Sequence, residues 1–313
     1  MRVVITEFMD ETAVAGLATK HDTFYDRSLV DRPDELRARL ATADALIVRN
    51  RTQVDATLLA GAPTLTVVGR LGVGLDNIDV DACRARGIEV IPATGANALA
   101  VAEYVIGAAM LLLRGAYSSS TAVASGDWPR AALASGRELS GKTLGIVGFG
   151  GIGRLVARLG RALGMRVVGS DPQVPASAAA WREEGAESRE LDALLAEADV
   201  VTLHVPLAEA TRHLVDATRL ARMKPEAILI NTARGGVVDE AALAAALKSG
   251  RLGGAALDVF EHEPLAAGSP LAGCPNLLLT PHIAGVTAES NTRVSTLIAV
   301  NVAAALSRIH ATR

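Results

Sequence analysis

The chain has 313 residues, half of them hydrophobic and 21% charged, enough for two domains with cores of their own. Thirty-one basic against 34 acidic residues leave a net charge of −3, too balanced for a general attraction to nucleic acid or anionic membranes. Cys83 and Cys274 stand far apart without CxxC or Cys/His spacing, so neither a disulfide framework nor a metal site is expected, and a cytoplasmic setting is.

In chain order, MRVVITEF opens as a strand rather than a leader, and VVIT (3–6), ALIV (45–48) and LTVV (65–68) read as buried strands. PDELRARLATA, before ALIV, places apolar residues at helical spacing behind a Pro and acids that suit a helix start. AVAEYVIGAAMLLLRG (100–115) is the most apolar stretch; Glu103, Arg114 and its length argue for a helix buried between domains over a membrane span. From residue 144, the runs LGIVGFG, MRVVGSD, DVVTLHVP, AILINTA, GAALDVF and NLLLTPH alternate with helical segments, the pattern of a parallel sheet covered on both faces. AGVTAESNTRVSTLIAVNVAAAL then reads as a helix with no strand after it. The expected fold class is therefore α/β, with two Rossmann-like doubly wound parallel-sheet domains. One domain starts at 1–97, a second at 98–284 is inserted into it, and a helix at 285–313 returns to the first.

In GFGGIG, Gly148, Gly150 and Gly153 match G-x-G-x-x-G between a strand and a helix, with Gly151 and Ile152 in the same turn. The first glycine permits the tight turn, the second lets backbone N–H groups approach a pyrophosphate, and the third lets helix and strand pack closely. Asp171 ends the next strand, where a carboxylate accepts from both ribose hydroxyls and repels a 2′-phosphate, favouring NAD over NADP. A turn aspartate before Pro172 is the plain alternative, outweighed by the glycines.

Three later strand ends carry polar residues: NTARGGVVDE, ALDVFEHEP and LTPHIAG. Arg234 is costly at the end of a buried strand unless paired, and its planar fork suits a carboxylate; a salt bridge to Asp239 or Glu240 is the bland alternative. Glu263 and His282 suit a pair in which the carboxylate fixes the imidazole tautomer and stabilises its cation. His262, flanked by acids, reads as a solvated surface residue. No metal ligand set is expected.

GRLGVGLDNID, GANALAVAEY, ELSGKTLGIVGFGGIG, LHVPL, NTARGGVVDE, GAALDVFEHEP and TPHIAG run in order along essentially the whole chain. By them the chain resembles the NAD-dependent D-isomer-specific 2-hydroxyacid dehydrogenases. The resemblance implies hydride transfer between NAD and C2 of a small 2-hydroxy or 2-oxo acid, with Arg234, Glu263 and His282 as the catalytic set. It also implies cofactor contacts at His204, Pro206, Thr211, Thr232, Ala233, Asp258, His282 and Gly285, and a homodimer joined through the cofactor domains. WPR (128–130) falls in the stretch that resembles the family's dimer arm, where Trp128 and Arg130 either meet a partner or stay within their own subunit.

In the first hundred residues, Gly72 and Gly74 in GRLGVG permit a turn whose N–H groups suit a carboxylate, with Val73 between them. Arg70 precedes that turn, and VRNR supplies Arg49 and Arg51 after ALIV. Together with Arg234 and His282 these are the candidate substrate residues, and the arginines suggest a second anionic group on the substrate. For Arg51 a solvated surface position is an equal alternative. VRNR with GRLGVGLDNID resembles the 3-phosphoglycerate dehydrogenases, and ITEFMDE with VRNRTQVD resembles the (S)-sulfolactate dehydrogenases. The S label does not contradict D-type geometry, because the sulfur-bearing arm outranks the carboxylate and reverses the descriptor. The alternatives are a hydroxypyruvate or glyoxylate reductase of the same family and a non-catalytic NAD(H)-sensing protein.

Overall fold

The apolar runs near the N-terminus build the centre of a five-stranded sheet in a computed structural model that describes residues 1–312. Its strands are β1 (Arg2–Ile5), β2 (Asp22–Tyr25), β3 (Ala45–Val48), β4 (Val67–Arg70) and β5 (Glu89–Pro92). All pair in parallel in the order β2-β1-β3-β4-β5, a doubly wound arrangement whose direction of winding reverses between β1 and β3. This sheet belongs to a unit made of Met1–Asn97 and Val286–Arg313.

One face of that sheet is covered by the helix Ala288–Thr312. Val294, Ile298, Val302, Ala305 and Leu306 recur at helical spacing and join Val3, Ile5, Ile47 and Val67 in one buried cluster. Residues 288–311 are long and apolar enough to cross a membrane by length and composition. That apolar face is buried within the first unit instead. The helix comes so close to β4 that a Cβ on Gly69 would lie 2.8 Å from Val302 Cγ2 and 2.9 Å from Ile298 Cγ2.

The second unit, Ala98–Gly285, holds seven parallel strands. They are β6 (Thr143–Val147), β7 (Arg166–Ser170), β8 (Glu187–Ser188), β9 (Val200–Leu203), β10 (Ile228–Asn231), β11 (Gly254–Leu257) and β12 (Leu277–Leu279). The order β12-β11-β10-β9-β6-β7-β8 is the dinucleotide-fold order with one added strand, and its winding reverses between β6 and β9. The central strands β6, β9, β10 and β11 are fully buried, as expected for strands covered on both faces. The apolar helix Ala98–Arg114 buries Ala102, Val105, Ala109 and Leu113 in this unit's own core, with Leu144, Ile146 and Val156.

Gly69→Ala overpacks the junction of β4 and the last helix. It is expected to destabilise the protein by about 1–3 kcal/mol, read as a lower urea midpoint with unchanged slope.

Candidate functional site

In the second unit the chain leaves β6 at its winding reversal through Gly148, whose φ of 95° suits glycine alone. A Cβ there would lie 2.5 Å from the His204 carbonyl oxygen, because the residues after β6 and β9 run side by side and His204 N donates to Val147 O (2.7 Å). A Cβ on Gly153 would overlap the Gly148 carbonyl, so this glycine lets the helix Gly151–Ala162 seat on the turn. Gly150 and Gly151, by contrast, face open space, with nothing within 4 Å of a Cβ. An uncapped helix N-terminus behind two open glycines presents N–H groups suited to a pyrophosphate.

Asp171 follows β7 and accepts from Phe149 N (2.7 Å) in the glycine turn and from Gln173 N (2.8 Å). Each oxygen retains a lone pair for a ribose hydroxyl, and the negative charge opposes a phosphate at that place. Thr232, after β10, has a buried hydroxyl with no partner among the described residues, a polar atom that awaits a ligand. These features fit a dinucleotide. Ile152, Pro206 and Gly285 keep partly or fully exposed surface, whereas Ala233 is buried. Thr211 closes the loop after β9, donating to Pro206 O (2.6 Å) and accepting from Ala208 N (2.8 Å). Burial pulls the His204 imidazole down to about 3, so it stays neutral at working pH, with Nε2 3.0 Å from Thr202 Oγ1.

The polar residues after β10, β11 and β12 take up defined positions. Buried Asn231 accepts from Ala233 N (3.0 Å) and donates to Arg234 O (2.9 Å), fixing the backbone on which Arg234 stands. A Cβ on Gly235 would overlap the Phe260 carbonyl, and Gly236 has φ 78°, so the Gly-Gly after Arg234 lets the chain turn against residue 260. Arg234 Nη1 donates to Ala233 O (2.6 Å), while Asp239 caps the next helix by accepting from Ala242 N (2.9 Å). Glu263 Oε1 accepts from Phe260 N (3.1 Å), and Oε2 meets His282 Nδ1 at 2.8 Å. The structure thus brings Glu263 and His282 together across 19 residues. With Nδ1 committed to the carboxylate, Nε2 is the atom left for proton transfer.

Asp258, expected among the cofactor contacts, spends both oxygens inside the protein. They accept from Thr280 Oγ1 (2.6 Å), Ile283 N (2.8 Å) and Ala284 N (2.8 Å), which flank His282. His262 is exposed.

In the first unit, the residues after β1 and β3 meet at that sheet's own winding reversal, the usual place for a ligand on a doubly wound sheet. Glu7 is 4% exposed and accepts from Arg49 N (3.0 Å), Asn50 N (3.3 Å), Arg51 N (3.1 Å) and Thr52 N (3.0 Å). Burial pushes its pKa up, but the amides of Thr52, Arg49 and Arg51 outweigh this and hold it below the usual carboxylate range. Arg49 is half-buried, which pulls its pKa down; its Nη2 donates to Asn291 Oδ1 (2.9 Å), and its guanidinium lies 5.7 Å from the Phe8 ring centre. A cavity of about 590 Å³ opens here, lined by Phe8, Arg27, Arg49, Asn50 and Asn291 among others.

Arg51 turns to an exposed ion pair with Asp31. Arg70 folds back over Gly72, where any Cβ would overlap its guanidinium, and Nη1 donates to Leu71 O (2.9 Å). Val73 is exposed and Gly74 partly so, which leaves this turn open. Glu7, Phe8 and Asn291 were not legible as site residues: Asn291 stands 242 positions from Arg49. The available signal was an acid directly after a buried strand, in ITEF.

A dinucleotide turn and, beyond later strands of the same sheet, an Arg and a Glu–His pair define an NAD-dependent oxidoreductase of the Rossmann class. Residues 106–284 match the D-isomer specific 2-hydroxyacid dehydrogenase, NAD binding domain, and the chain belongs to this family. It is 57% identical over 304 residues to a (S)-sulfolactate dehydrogenase of Chromohalobacter salexigens, covering 97% of this chain and 98% of that one. It is 42% identical over 306 residues to a D-3-phosphoglycerate dehydrogenase of Mycobacterium tuberculosis, covering 97% of this chain but only 56% of that protein. The D-lactate dehydrogenase of Aquifex aeolicus, solved with NAD and lactic acid, superposes with a TM-score of 0.85 at 30% identity, covering 97% and 95% of the two chains.

Glu7→Gln keeps the size but loses a charge-assisted acceptor for four amides, so it is expected to cost about 2–3 kcal/mol of stability at neutral pH. Because the folded pKa is lowered, the carboxylate's contribution is full above about 4.5 and fades as pH falls through the folded value. Denaturation midpoints at several pH values should show the variant lacking that acid-dependent part.

Proposed function

We propose that the chain interconverts 3-sulfolactate and 3-sulfopyruvate with NAD, His282, Glu263 and Arg234 carrying the chemistry. The supporting observation for the second anionic group is the cationic cavity at the first unit's winding reversal, where half-buried Arg49 is held by Asn291 and backed by Phe8. A desolvated, pre-oriented guanidinium suits a tetrahedral oxyanion. The 57% identity to a (S)-sulfolactate dehydrogenase over nearly its whole length favours a sulfonate.

In this reading Arg234 binds the carboxylate and carbonyl oxygen, and His282 Nε2 gives a proton to the forming hydroxyl in reduction or removes it in oxidation. Glu263 stabilises the imidazolium through Nδ1. When bound, NAD supplies the hydride chemistry at C2. The amides at Gly150, Gly151, Ile152 and Gly153 hold its pyrophosphate, and Asp171 its ribose. His204, Pro206, Thr211, Thr232, Ala233 and Gly285 line the rest. Arg49 takes the sulfonate, while Arg70 and the Val73–Gly74 turn take substrate oxygens. Arg51 serves at most as an outer charge, since it is paired with Asp31.

We also assign the chain to a cytoplasmic homodimer. Its support is a run of exposed apolar side chains in the second unit: Met110, Leu111, Tyr117 (62%), Val123 and Trp128 (76%). The two cysteines are free.

The test is NADH oxidation at neutral pH against 3-sulfopyruvate, 3-phosphohydroxypyruvate, hydroxypyruvate, glyoxylate and pyruvate, with NADPH as control. The doubly anionic acids should exceed pyruvate in kcat/KM by about 10- to 100-fold, and Arg49→Gln should erase that advantage while sparing pyruvate. Preference for a singly charged acid contradicts the proposal and favours the hydroxypyruvate reductase reading, for which a 38% identical relative from Thermotoga maritima speaks.

A further inference from the structure

We infer that Tyr104 is a positioning residue for proton transfer, its hydroxyl completing a chain, Tyr104–Thr280–Asp258, that fixes the turn carrying His282; this rests on the acid–base role proposed for His282. All four residues lie in the second unit. Tyr104 stands on the helix Ala98–Arg114, its ring packed against the core and its hydroxyl 2.6 Å from Thr280 Oγ1. A threonine hydroxyl has one proton, and Thr280 gives it to Asp258 Oδ1 at 2.6 Å. Tyr104 is therefore the donor in the first bond. Burial pushes the Tyr104 phenol pKa up, so it keeps that proton at working pH.

Asp258 is 1% exposed, and it accepts from the two backbone amides that follow His282 as well as from the side chain two residues before it. His282 adopts φ 55°, a left-handed conformation that non-glycine residues hold only where surrounding contacts over-determine it. The ties are those three bonds, together with Thr280 N to Leu257 O and His282 N to Thr280 O (both 3.0 Å). Tyr104 sets the rotamer of Thr280 and so the first tie. Removing its hydroxyl leaves the ring in place but frees Thr280 Oγ1 to turn from Asp258. The effect falls on the aim of the imidazole, hence on proton transfer, and not on the affinity for either substrate.

The test uses Tyr104→Phe, which keeps the packing, with Thr280→Val and Thr280→Ser. The readouts are single-turnover NADH oxidation with the best 2-oxo acid, KM, NADH binding by fluorescence and the thermal midpoint. Tyr104→Phe and Thr280→Val should each slow the single turnover about five- to tenfold, with KM and NADH affinity within about twofold. The double variant should fall no further than the slower single one, and Thr280→Ser should restore the rate. A Tyr104→Phe protein with wild-type turnover, whether or not its thermal midpoint drops, overturns the inference. His282→Asn in the same assay separates the two failures. If that variant keeps turnover, the acid–base reading itself falls; if it loses turnover while Tyr104→Phe does not, only the positioning role does.

Discussion

Two buried carboxylates organise both candidate sites. Asp258 and Glu7 stand just past the ends of parallel strands, and each accepts from the amides of a neighbouring strand-end turn. A carboxylate out of water must be satisfied by donors, and turn amides out of water must find acceptors. The two needs cancel in one contact, and the turn is left with a single backbone course. On that course the chain places the side chains that face outward: His282 from the Asp258 turn and Arg49 from the Glu7 turn. Removing either carboxylate would strand several amides at once, which ties function to the fold's own hydrogen-bond accounting.

The two units treat the same topological feature differently. Each sheet reverses its winding at one pair of strands, where the strand ends leave room. In the second unit that room is kept open by Gly150 and Gly151 and bordered by Asp171, an arrangement for a dinucleotide without a 2′-phosphate. In the first unit the amides at the winding reversal are already occupied by Glu7, so what remains there for a ligand is side-chain charge, chiefly Arg49. A backbone cradle and a guanidinium differ in reach: the first holds a fixed pyrophosphate, the second meets one group of a small acid.

Much of the fold was legible in the sequence because buried parallel strands are nearly continuous apolar runs. LGIV, VVTL, ILIN and GAAL all became central strands of the second sheet. The strands missed, β2, β5 and β8, lie at the sheet edges, where half-exposed sequences such as DTFY and EVIP carry no such run. β4 runs from Val67 to Arg70 rather than over 65–68; Leu65 is buried ahead of the strand without belonging to it. In the site, the glycine fingerprint and the Glu263–His282 pair were visible, since their chemistry needs particular residue types. Glu7, Tyr104, Thr280 and Asn291 were not. Each is an ordinary residue whose meaning comes from a partner more than forty positions away, as with Tyr104 and Thr280, 176 apart. Arg51 shows the reverse: its charge drew attention, and Asp31 absorbs it.

The central claim is that hydride passes directly between NAD and C2 of a doubly anionic acid while the held imidazole handles the proton. The measurement that tests it most directly is the reduction of 3-sulfopyruvate with NADH carrying deuterium at both C4 positions, in ordinary water, with analysis of the product's label and configuration. One deuterium at C2 and a single enantiomer of D-type geometry are predicted. Unlabelled product, a racemate or the opposite enantiomer would contradict the account.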